Sequence, residues 1–268
     1  MNIKFLSGGL RKGGILKKDK KNLPLISVIT VALNSKKFLQ QSINSVLNQS
    51  YKNYELIIVD GQSTDGTLDI IKKNNSKIDY WISEKDNGFS DAVNKGIKLS
   101  RGSIISILNS DDIFYKHALR TAVNYFNRYK YIDFLFGSVI KYKLLYGYRP
   151  WKIRWSFGFY STHSIGFLIK KKAQKKVGCY KVKYKYSPDY DFFYRMIVKH
   201  KLKGMATKKN EIFGKFRRGG VGSKLPFIDY LKETVRIRLD NGQNILLVSI
   251  IFLLKYTRYL VNKIFLIQ

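Results

Sequence analysis

The sequence contains very little cysteine and few acidic residues. Cys179 is the only cysteine among 268 residues, so no disulfide can form within the chain and no CxxC or zinc-binding pattern can be written. Eighteen acidic residues stand against 50 lysines and arginines, which gives a formal charge of +32. Unless lysine-rich codon usage alone accounts for this excess, it indicates a negatively charged partner or substrate: nucleic acid, anionic lipid or a phosphorylated small molecule.

The sequence also lacks a single basic arm, a secretory signal and a long apolar run. The cations are spread through the chain, which argues against a discrete nucleic-acid-binding tail. Residues 1–23 are basic without a continuous apolar region, and we interpret them as a flexible leader rather than a signal peptide. Residues 245–254 form an apolar run that is shorter than the roughly 20 residues needed to cross a bilayer.

Residues 223–268 are predicted to form a helical extension at the end of the chain. Its apolar run is followed by Lys255, Arg258 and Lys263. This pattern suits a helix lying on an anionic membrane surface. It suits equally a helix that packs on its own domain or on a second subunit, and the sequence leaves these alternatives open.

From residue 24 onwards, apolar runs alternate with segments of helical periodicity. The strand-like runs are LISVITVAL, YELIIVD, KIDYWISE and SIISILN. The helical segments between them are KKFLQQSINSVLNQSY, with Asn34 and Ser35 as candidate caps, then TLDIIKKN and GFSDAVNKGIKLS. Strands without alternating polarity are typical of a parallel sheet covered on both faces. The sequence therefore predicts an α/β fold with a mixed, mostly parallel sheet flanked by helices.

The region after residue 115 is less regular. We predict a nucleotide-binding half over 24–115 and an acceptor half over 116–222, which together form one domain. Within the second half, IDFLFGSVIKY reads as one strand, and SPDYDFFYRMIVKHKLK reads as an amphipathic helix with acidic residues at its start. FRRGGVGSK is rich in glycine and basic residues, so we expect it to be mobile.

Polar side chains follow the carboxyl end of each predicted strand. They are Asn34, Asp60, Glu84 with Asp86, and Asp111 with Asp112. Ligands of open α/β sheets bind at this edge. Adjacent carboxylates repel each other unless a cation lies between them. Although helix capping is the simpler explanation, two acids with Asn109 nearby favour a site for Mg²⁺ or Mn²⁺.

These segments resemble a known family. ISVITVALNSKKFLQQSINSVLNQSYKNYELIIVDGQSTDGT followed by SEKDNGFSDAVNKGIKLSRGSIISILNSDD is similar to the family 2 glycosyltransferases, which have the Rossmann-like GT-A fold. The resemblance covers roughly residues 24–220, and the subgroup most similar to the chain adds sugars in bacterial surface polysaccharide synthesis. The order and spacing of these motifs make the resemblance specific.

The resemblance implies roles for several residues at the edge of the sheet. Val31 and Asn34 would lie near the nucleoside, Asp60 would accept the uracil imide proton, and Asp91 would contribute to donor binding. NSDD stands in the place of the family's metal-binding Asp-x-Asp motif. Its first position is Asn109, so the resemblance implies that Asp111 and Asp112 coordinate the metal. Asp111 would also contact the donor. The implied cofactor is a divalent ion, Mn²⁺ or Mg²⁺.

The resemblance also implies a catalytic base. SPDYDFFYRM is similar to the family's Glu-Asp segment at the head of a helix, which places Asp189 as the base and Pro188 where the family has glutamate. An acid at the start of a helix also stabilises the helix dipole without any catalysis. Asp191 is the competing candidate for the base. Arg217 and Arg218, in the glycine-rich segment, are predicted to close over the diphosphate.

The resulting hypothesis is a metal-dependent, inverting glycosyltransferase. It would transfer a sugar from a nucleotide-sugar, UDP-linked, to a hydroxyl of a lipid-linked or oligosaccharide acceptor, in the cytoplasm and peripherally on the inner face of the plasma membrane. The alternatives are a basic nucleic-acid-binding protein and a sugar nucleotidyltransferase. We expect no nucleic-acid partner because no reading motif is present and acids follow the strands. A homo-oligomer is left open.

Overall fold

An eight-stranded sheet runs through the part of the chain that the structure, a computed structural model, describes: residues 5–155, 164–217 and 226–265. The strands are β1 (Leu6–Gly8), β2 (Ile26–Ala32), β3 (Tyr54–Asp60), β4 (Tyr80–Ser83), β5 (Ile104–Asn109), β6 (Ile113–Phe114), β7 (Phe134–Phe136), β8 (Ser138–Ile140), β9 (Leu144–Leu145), β10 (Phe167–Lys170), β11 (Gly204–Ala206) and β12 (Ile212–Lys215). The helices are α1 (Leu39–Leu47), α2 (Thr67–Lys73), α3 (Phe89–Leu99), α4 (Ala118–Arg128), α5 (Lys152–Trp155), α6 (Lys171–Val177), α7 (Pro188–Tyr194), α8 (Phe227–Asp240) and α9 (Ile245–Phe265).

The large sheet has the order β1-β4-β3-β2-β5-β10-β7-β11. Strands β4, β3, β2 and β5 are parallel, whereas β1 and β10 are antiparallel to their neighbours. A smaller sheet has the order β6-β12-β8-β9. The prediction of a mixed, mostly parallel sheet is therefore confirmed, and the parallel strands β4, β3, β2 and β5 lie within residues 24–115.

Both faces of the large sheet are covered by helices. On β2, Val28 belongs to a core shared with α1, α2 and α4, whereas the next residue, Ile29, belongs to a core shared with α3, α6 and α7. All seven residues of β2 are buried. The uniformly apolar strands noted in the sequence follow from this arrangement, because successive side chains point to opposite, equally covered faces.

The prediction of a flexible leader over 1–23 is wrong for residues 6–13. Strand β1 pairs antiparallel with β4 and extends the sheet, and a short 3₁₀ turn follows it. Arg11 then forms an ion pair with the buried carboxylate of Glu55 and donates to the backbone oxygen of Leu99. The leader is ordered because the edge of β4 offers unpaired backbone groups and Glu55 requires a cation.

The single strand predicted over IDFLFGSVIKY is two strands in two different sheets. β7 lies in the large sheet and β8 in the small one, with Gly137 between them. The backbone N–H of Gly137 donates to Gly166, 2.8 Å away, and a side chain at this glycine would meet the ring of Phe213 at 2.2 Å. The close approach of Phe213 is possible only because residue 137 has no Cβ atom, and this packing separates the sheets.

The C-terminal extension is helical, as predicted. Helices α8 and α9 follow one another with a short connection and pack together, and α8 also packs on α7. The rings of Phe227 and Tyr259 stack at 4.5 Å across the pair. Among the described residues, one helix, Ile245–Lys263, is long and apolar enough to cross a membrane by length and composition, with a mean hydropathy of 1.5.

Candidate active site

The carboxyl ends of the four parallel strands meet at one edge of the sheet. Their register pairs Ala32 with Asp60, Asp60 with Ser83, and Val31 with Asn109. The loops that follow are tied to each other: the hydroxyl groups of Ser35 and Ser110 lie 2.7 Å apart. The predicted convergence of these strand ends on one edge is therefore what the structure shows.

Asp60 is completely buried at this edge. Its carboxylate accepts hydrogen bonds from the hydroxyl of Ser63 at 2.5 Å and from the hydroxyl of Ser83 at 2.6 Å, and the backbone N–H of Ser63 lies at 3.2 Å. These donors compensate for the burial of the carboxylate. In this structure Asp60 orders the loop after β3 and joins β3 to β4. Its contact with a nucleobase stays a prediction.

Asn34 orders the loop between β2 and α1. It has a left-handed φ of 49°, and its side-chain oxygen accepts the backbone N–H of Thr64 at 2.9 Å while its own N–H donates to Ser63. Asn34 and Ser35 therefore do not cap α1, which begins only at Leu39. Val31 is buried in the core on the α3 side of the sheet. Asn34 is exposed at the edge, so of these two predicted nucleoside contacts it is the accessible one.

Asp91 lies in the first turn of α3, on the segment that follows β4. Its carboxylate accepts the backbone N–H of Asn87 at 3.0 Å and lies 3.6 Å from the ammonium group of Lys95, which pairs more closely with Glu84 at 2.9 Å. The carboxylate of Asp86 lies close to the backbone of Gly61, just after β3. A Cβ atom at Gly61 would be only 2.5 Å from it. These acids line the same edge, and Lys95 is the counterion of Glu84 and Asp91.

Asp112 is fully buried beneath this edge, and protein donors engage both of its oxygens. One oxygen accepts the backbone N–H of Arg217 at 3.0 Å, and the other accepts the amide of Asn109 at 3.1 Å. Burial raises the pKa of Asp112 to about 7, and the neighbouring charge of Asp111 adds to the effect. Asp112 stays a predicted metal ligand, but in this structure it joins the end of β5 to the segment after β12.

Arg217 lies next to Asp111 and Asp112 and is held by several contacts. The sequence predicts a mobile segment at this position. The guanidinium of Arg217 donates to the backbone oxygen of Asp111 at 3.0 Å and to Gln41 at 2.6 Å, and it lies 4.1 Å from the centre of the Phe38 ring. A cation at this position suits a site for phosphate groups. Arg218, which was predicted to act with it, lies outside the described residues.

Asp111 is the accessible carboxylate of the pair. It is half-buried, and burial raises its pKa although the charge of Arg217 works in the opposite direction. The buried Oδ1 of Asn109 accepts no hydrogen bond from the described residues. These are two hard oxygen donors of the kind that Mg²⁺ and Mn²⁺ prefer.

The described residues include no group of three histidine, cysteine, aspartate or glutamate side chains that could hold a metal by themselves. Mg²⁺ is usually bound by one or two carboxylates together with substrate phosphates, rather than by a complete protein cage. Asp111 and the free oxygen of Asn109 fit an ion that arrives with a diphosphate. They do not fit an ion held permanently by protein side chains.

Asp189 occupies the first turn of α7, on the side of the sheet that α3 covers. Its carboxyl has no hydrogen-bond or ion-pair partner among the described residues, and burial alone raises its pKa to about 6. Tyr180 connects this helix to α3. Its ring stacks on Phe192 of α7 at 4.4 Å, and its backbone N–H and C=O form hydrogen bonds with the side-chain amide of Asn94 on α3. An unpaired acid with a raised pKa is typical of a general base.

Asp191, the competing candidate, is engaged by other groups of the protein. It is completely buried, pairs with Arg195 at 2.8 Å and with Lys181 at 3.2 Å, and accepts the amide of Asn241 at 2.9 Å. Arg195 also donates to the backbone oxygens of Val177 and Cys179. A carboxylate engaged by two cations is poorly suited to accept a proton, whereas Asp189, two residues earlier, is not engaged in this way.

Glu233 of α8 is a contributor to the site that the sequence did not suggest. Its carboxylate accepts the backbone N–H groups of Lys185, Tyr186 and Ser187 at 2.6–2.8 Å, immediately before α7 begins. A carboxylate from another helix therefore anchors the segment that leads into the helix that carries Asp189. The only sequence signal for Glu233 is the pattern FIDYLKE, which begins α8 and ends at this glutamate. The pattern does not show that Glu233 contacts the start of α7.

The fold and these acids define an α/β protein with an acidic edge suited to a nucleotide and a separate unpaired acid. The chain belongs to glycosyl transferase family 2, whose model matches residues 27–200.

Sequence relatives agree with this assignment. An uncharacterized glycosyltransferase of Rickettsia typhi is 31% identical over 189 residues, which cover 65% of this chain and 59% of the relative. TuaG of Bacillus subtilis, named as a candidate teichuronic acid biosynthesis glycosyltransferase, is 36% identical over 105 residues, covering 38% of this chain and 42% of TuaG. The chain therefore spans about half the length of these relatives.

Solved structures define the fold. TarS of S. aureus (residues 1–349) has a TM-score of 0.63 and 18% identity, with 80% of this chain and 64% of that chain covered. The mannosyltransferase PcManGT of Pyrobaculum calidifontis, in complex with GDP-Man and Mn²⁺, has a TM-score of 0.63 and 15% identity, with 85% and 68% covered. The predicted GT-A fold is thereby confirmed.

Proposed function

We propose that the chain is an inverting glycosyltransferase that transfers a sugar from a nucleotide-sugar to a hydroxyl of a lipid-linked or oligosaccharide acceptor, in the synthesis of a cell-surface polysaccharide. Membership of family 2 supports sugar transfer. The relationship to TuaG, named for teichuronic acid biosynthesis, supports the surface polysaccharide. The observation that carries the reaction is the unpaired Asp189 carboxyl, with its pKa of about 6, beside the fully engaged Asp191.

In the proposed reaction, Asp189 accepts the proton of the acceptor hydroxyl while that oxygen attacks the anomeric carbon from the side opposite the nucleotide. The bond from the anomeric carbon to the diphosphate oxygen breaks, and the nucleoside diphosphate leaves with the electron pair. A pKa near 6 keeps Asp189 ionised at neutral pH and still basic enough to share the proton in the transition state.

The donor diphosphate is proposed to bind at the edge formed by the ends of β2, β3 and β5. Asp111 would hold a Mn²⁺ or Mg²⁺ ion delivered with the diphosphate, and Asp112 and the buried Oδ1 of Asn109 are the further candidate oxygens. When bound, such an ion neutralises the charge that develops on the leaving group. Arg217, which already lies on this edge, is suited to contact the same phosphates. Asn34, Asp60 and Asp91 remain the proposed contacts of the nucleoside and donor.

A UDP-linked donor is favoured, and a ligand panel tests it. TarS has been crystallised with UDP and with UDP-GlcNAc, whereas PcManGT was crystallised with GDP-Man. We expect a UDP-sugar with Mn²⁺ to raise the melting temperature by about 5–10 °C at a hundredfold excess over the dissociation constant. We expect Mn²⁺ alone to cause no shift, because the residues that the structure describes offer an incomplete ligand set.

The panel contains UDP-, GDP- and dTDP-sugars, each with and without Mn²⁺, measured by thermal shift. A metal-dependent response to a GDP- or dTDP-sugar would correct the nucleotide but support the reaction class. If no nucleotide-sugar stabilises the protein, the proposal is wrong.

Glu233 is proposed as a positioning residue for Asp189. Replacing it by glutamine removes one of the oxygens that accept the three N–H groups before α7 and places an amide donor among them. We expect the catalytic rate constant to fall by about tenfold or more with little change in KM for the donor, because small displacements of a catalytic group are costly. The assay is run well below the melting temperature of the variant.

The matched control is Asp229→Asn, which removes a carboxylate from the same helix one turn earlier. It is expected to keep the wild-type rate. If Glu233 serves stability alone, Glu233→Gln will lower the melting temperature and leave both the rate constant and its pH profile unchanged in the folded protein.

A further inference from the structure

Helix α9 presents an apolar face to solvent. Its apolar members lie within about 60° of one line along the helix: Leu246, Ile250, Leu253, Leu254, Leu260 and Val261, which we call the outer face. Thr257 is the polar residue within this arc, and its hydroxyl donates to the backbone oxygen of Leu253 at 3.0 Å. Their exposed fractions are 40–71%. From Leu246 to Val261 the outer face extends about 22 Å at 1.5 Å per residue. A face of this length exposed to water indicates a binding surface.

The opposite side of α9 is attached to α8 along its length. Val248 and Ile251 are buried, and further along the helix Tyr259 stacks on Phe227. Lys255 lies on this attached side, with its ammonium group 5.9 Å from the ring of Tyr230. The lysine that interrupts the apolar run in the sequence therefore does not interrupt the outer face.

Cations border the outer face, and acids are absent from α9. The sequence of α9 contains no aspartate or glutamate. At about 100° per residue, Arg258 and Lys263 flank the outer face on opposite sides, each about 100–120° from its centre. Together with the formal charge of +32 for the whole chain, this arrangement is complementary to a negatively charged surface.

The attachment to α8 decides how α9 can meet a bilayer. A helix that crosses the hydrocarbon core would carry α8 in with it, because the two helices are packed side by side. Helix α8 bears Lys232, Glu233 and Arg236, and Glu233 must remain at the start of α7. Charged side chains are costly inside a bilayer. An orientation parallel to the membrane exposes only the outer face to lipid.

We propose that the outer face of α9 binds an anionic phospholipid surface, with the helix lying in the plane of the membrane interface. The apolar side chains enter the boundary between headgroups and acyl chains, and Arg258 and Lys263 contact lipid phosphates. Cations elsewhere on the chain add a longer-range attraction that salt weakens. The proposal does not depend on the proposed sugar transfer, because its readout is vesicle binding.

The test is co-sedimentation of the full chain with vesicles of phosphatidylcholine alone and of phosphatidylcholine mixed with phosphatidylglycerol. We expect binding to the anionic vesicles only. The double substitution Ile250→Asn with Leu253→Asn is expected to lower the partition coefficient by about tenfold or more, since two half-exposed apolar side chains no longer enter the lipid. Arg258→Gln with Lys263→Gln is expected to lower it by about thirtyfold, at roughly 1 kcal/mol per cation.

The matched control is Ile15→Asn with Leu16→Asn. These two side chains are 53% and 52% exposed, close to the 52% of Ile250 and 58% of Leu253, but they lie in the N-terminal segment. The control is expected to bind as the wild type does. Equal loss in both double variants, or none in either, would overturn the proposal.

Light scattering tests whether the outer face is a subunit interface, and alkaline extraction tests whether α9 crosses the bilayer. If the protein is a dimer that the Ile250→Asn with Leu253→Asn variant converts to a monomer, and no vesicle binds, the outer face is a subunit interface and the proposal is wrong. If the vesicle-bound protein resists extraction at alkaline pH, α9 crosses the bilayer, which also overturns it. Release by alkaline carbonate and by high salt supports it.

Discussion

Replacing Asp189 by asparagine is expected to lower the rate of sugar transfer by about 10²–10⁴-fold, the range that a positioned general base contributes. The variant keeps the size and shape of the side chain and removes its ability to accept the acceptor proton. Binding of the nucleotide-sugar is expected to be unchanged, because the proposed donor contacts lie at the ends of β2, β3 and β5. The measurement is a transfer assay at saturating donor, combined with thermal shift to verify donor binding.

The stability of this variant distinguishes loss of chemistry from loss of fold. The pKa of Asp189 in the folded protein, about 6, lies above its ordinary value. The ionised carboxylate is therefore disfavoured in the folded state, and the protein loses stability as the pH rises from about 4 to about 6. Removing the charge is expected to recover on the order of 2–3 kcal/mol at neutral pH. The melting temperature of Asp189→Asn should not fall.

The pH dependence of the wild-type enzyme follows from the same pKa. The base must be deprotonated, so kcat/KM for the acceptor should decrease tenfold per pH unit below about 6 and level off above it. Asp189→Glu is expected to retain part of the activity and the same acidic limb, since it preserves a carboxylate. An Asp189→Asn enzyme with wild-type activity at neutral pH would contradict the assignment.

Asp191→Asn provides the contrast. It leaves Arg195 and Lys181 without a buried partner, and breaking such a pair typically costs 3–5 kcal/mol. We expect its melting temperature to fall by roughly 10 °C. If Asp191→Asn instead abolishes transfer in a protein of normal stability while Asp189→Asn stays active, the two residues have been assigned in the wrong order.

Replacing Asp111 by asparagine is expected to abolish metal-dependent binding of the donor and to lower kcat/KM by about a hundredfold or more. Asp111 supplies the accessible negative charge at the end of β5, because Asp112 already accepts hydrogen bonds from Arg217 and Asn109. Loss of the bound ion removes several kcal/mol of stabilisation of the leaving diphosphate. Calorimetric titration of UDP with Mn²⁺ into both proteins measures the effect.

Two outcomes test the role of Asp111 against simpler explanations. Asp69→Asn, which removes an exposed acid from the first turn of α2, should bind UDP and Mn²⁺ as the wild type does. If Asp111→Asn binds UDP with Mn²⁺ as tightly as the wild type, the ion is not held at this carboxylate. Binding of Mn²⁺ alone to the wild-type protein would show that a complete protein site exists and would also contradict our interpretation.

The positions of Asp111 and Asp112 could be predicted from the sequence, but the difference between them could not. NSDD after an apolar strand correctly predicts acids at the carboxyl edge of the sheet, because parallel strands end at the same edge. It treats Asp111 and Asp112 as equivalent, however, since both are carboxylates at adjacent positions. Only the fold brings Arg217, more than 100 residues later, against Asp112 and leaves Asp111 accessible.

The two acids in the first turn of α7 also look equivalent in the sequence and differ in the structure. In the sequence, Asp189 and Asp191 are both suited to the first turn of a helix, and the resemblance alone orders them. In the structure, Asn241, 50 residues later in the chain, and Lys181, from the segment before α7, converge on Asp191. This convergence is the reason that we propose Asp189, rather than Asp191, as the base.

The amino-acid sequence alone was enough to predict the alternation of strands and helices, the parallel sheet, the edge at which the acids lie and the family. These features depend on local periodicity and on short motifs, in which the interacting residues are neighbours along the chain. Contacts made in the folded protein place β1 in the sheet, separate β7 from β8 at Gly137, anchor the start of α7 on Glu233 and keep Lys255 away from the outer face of α9. Each of these depends on a contact between residues far apart in the chain, which no local pattern of side chains encodes.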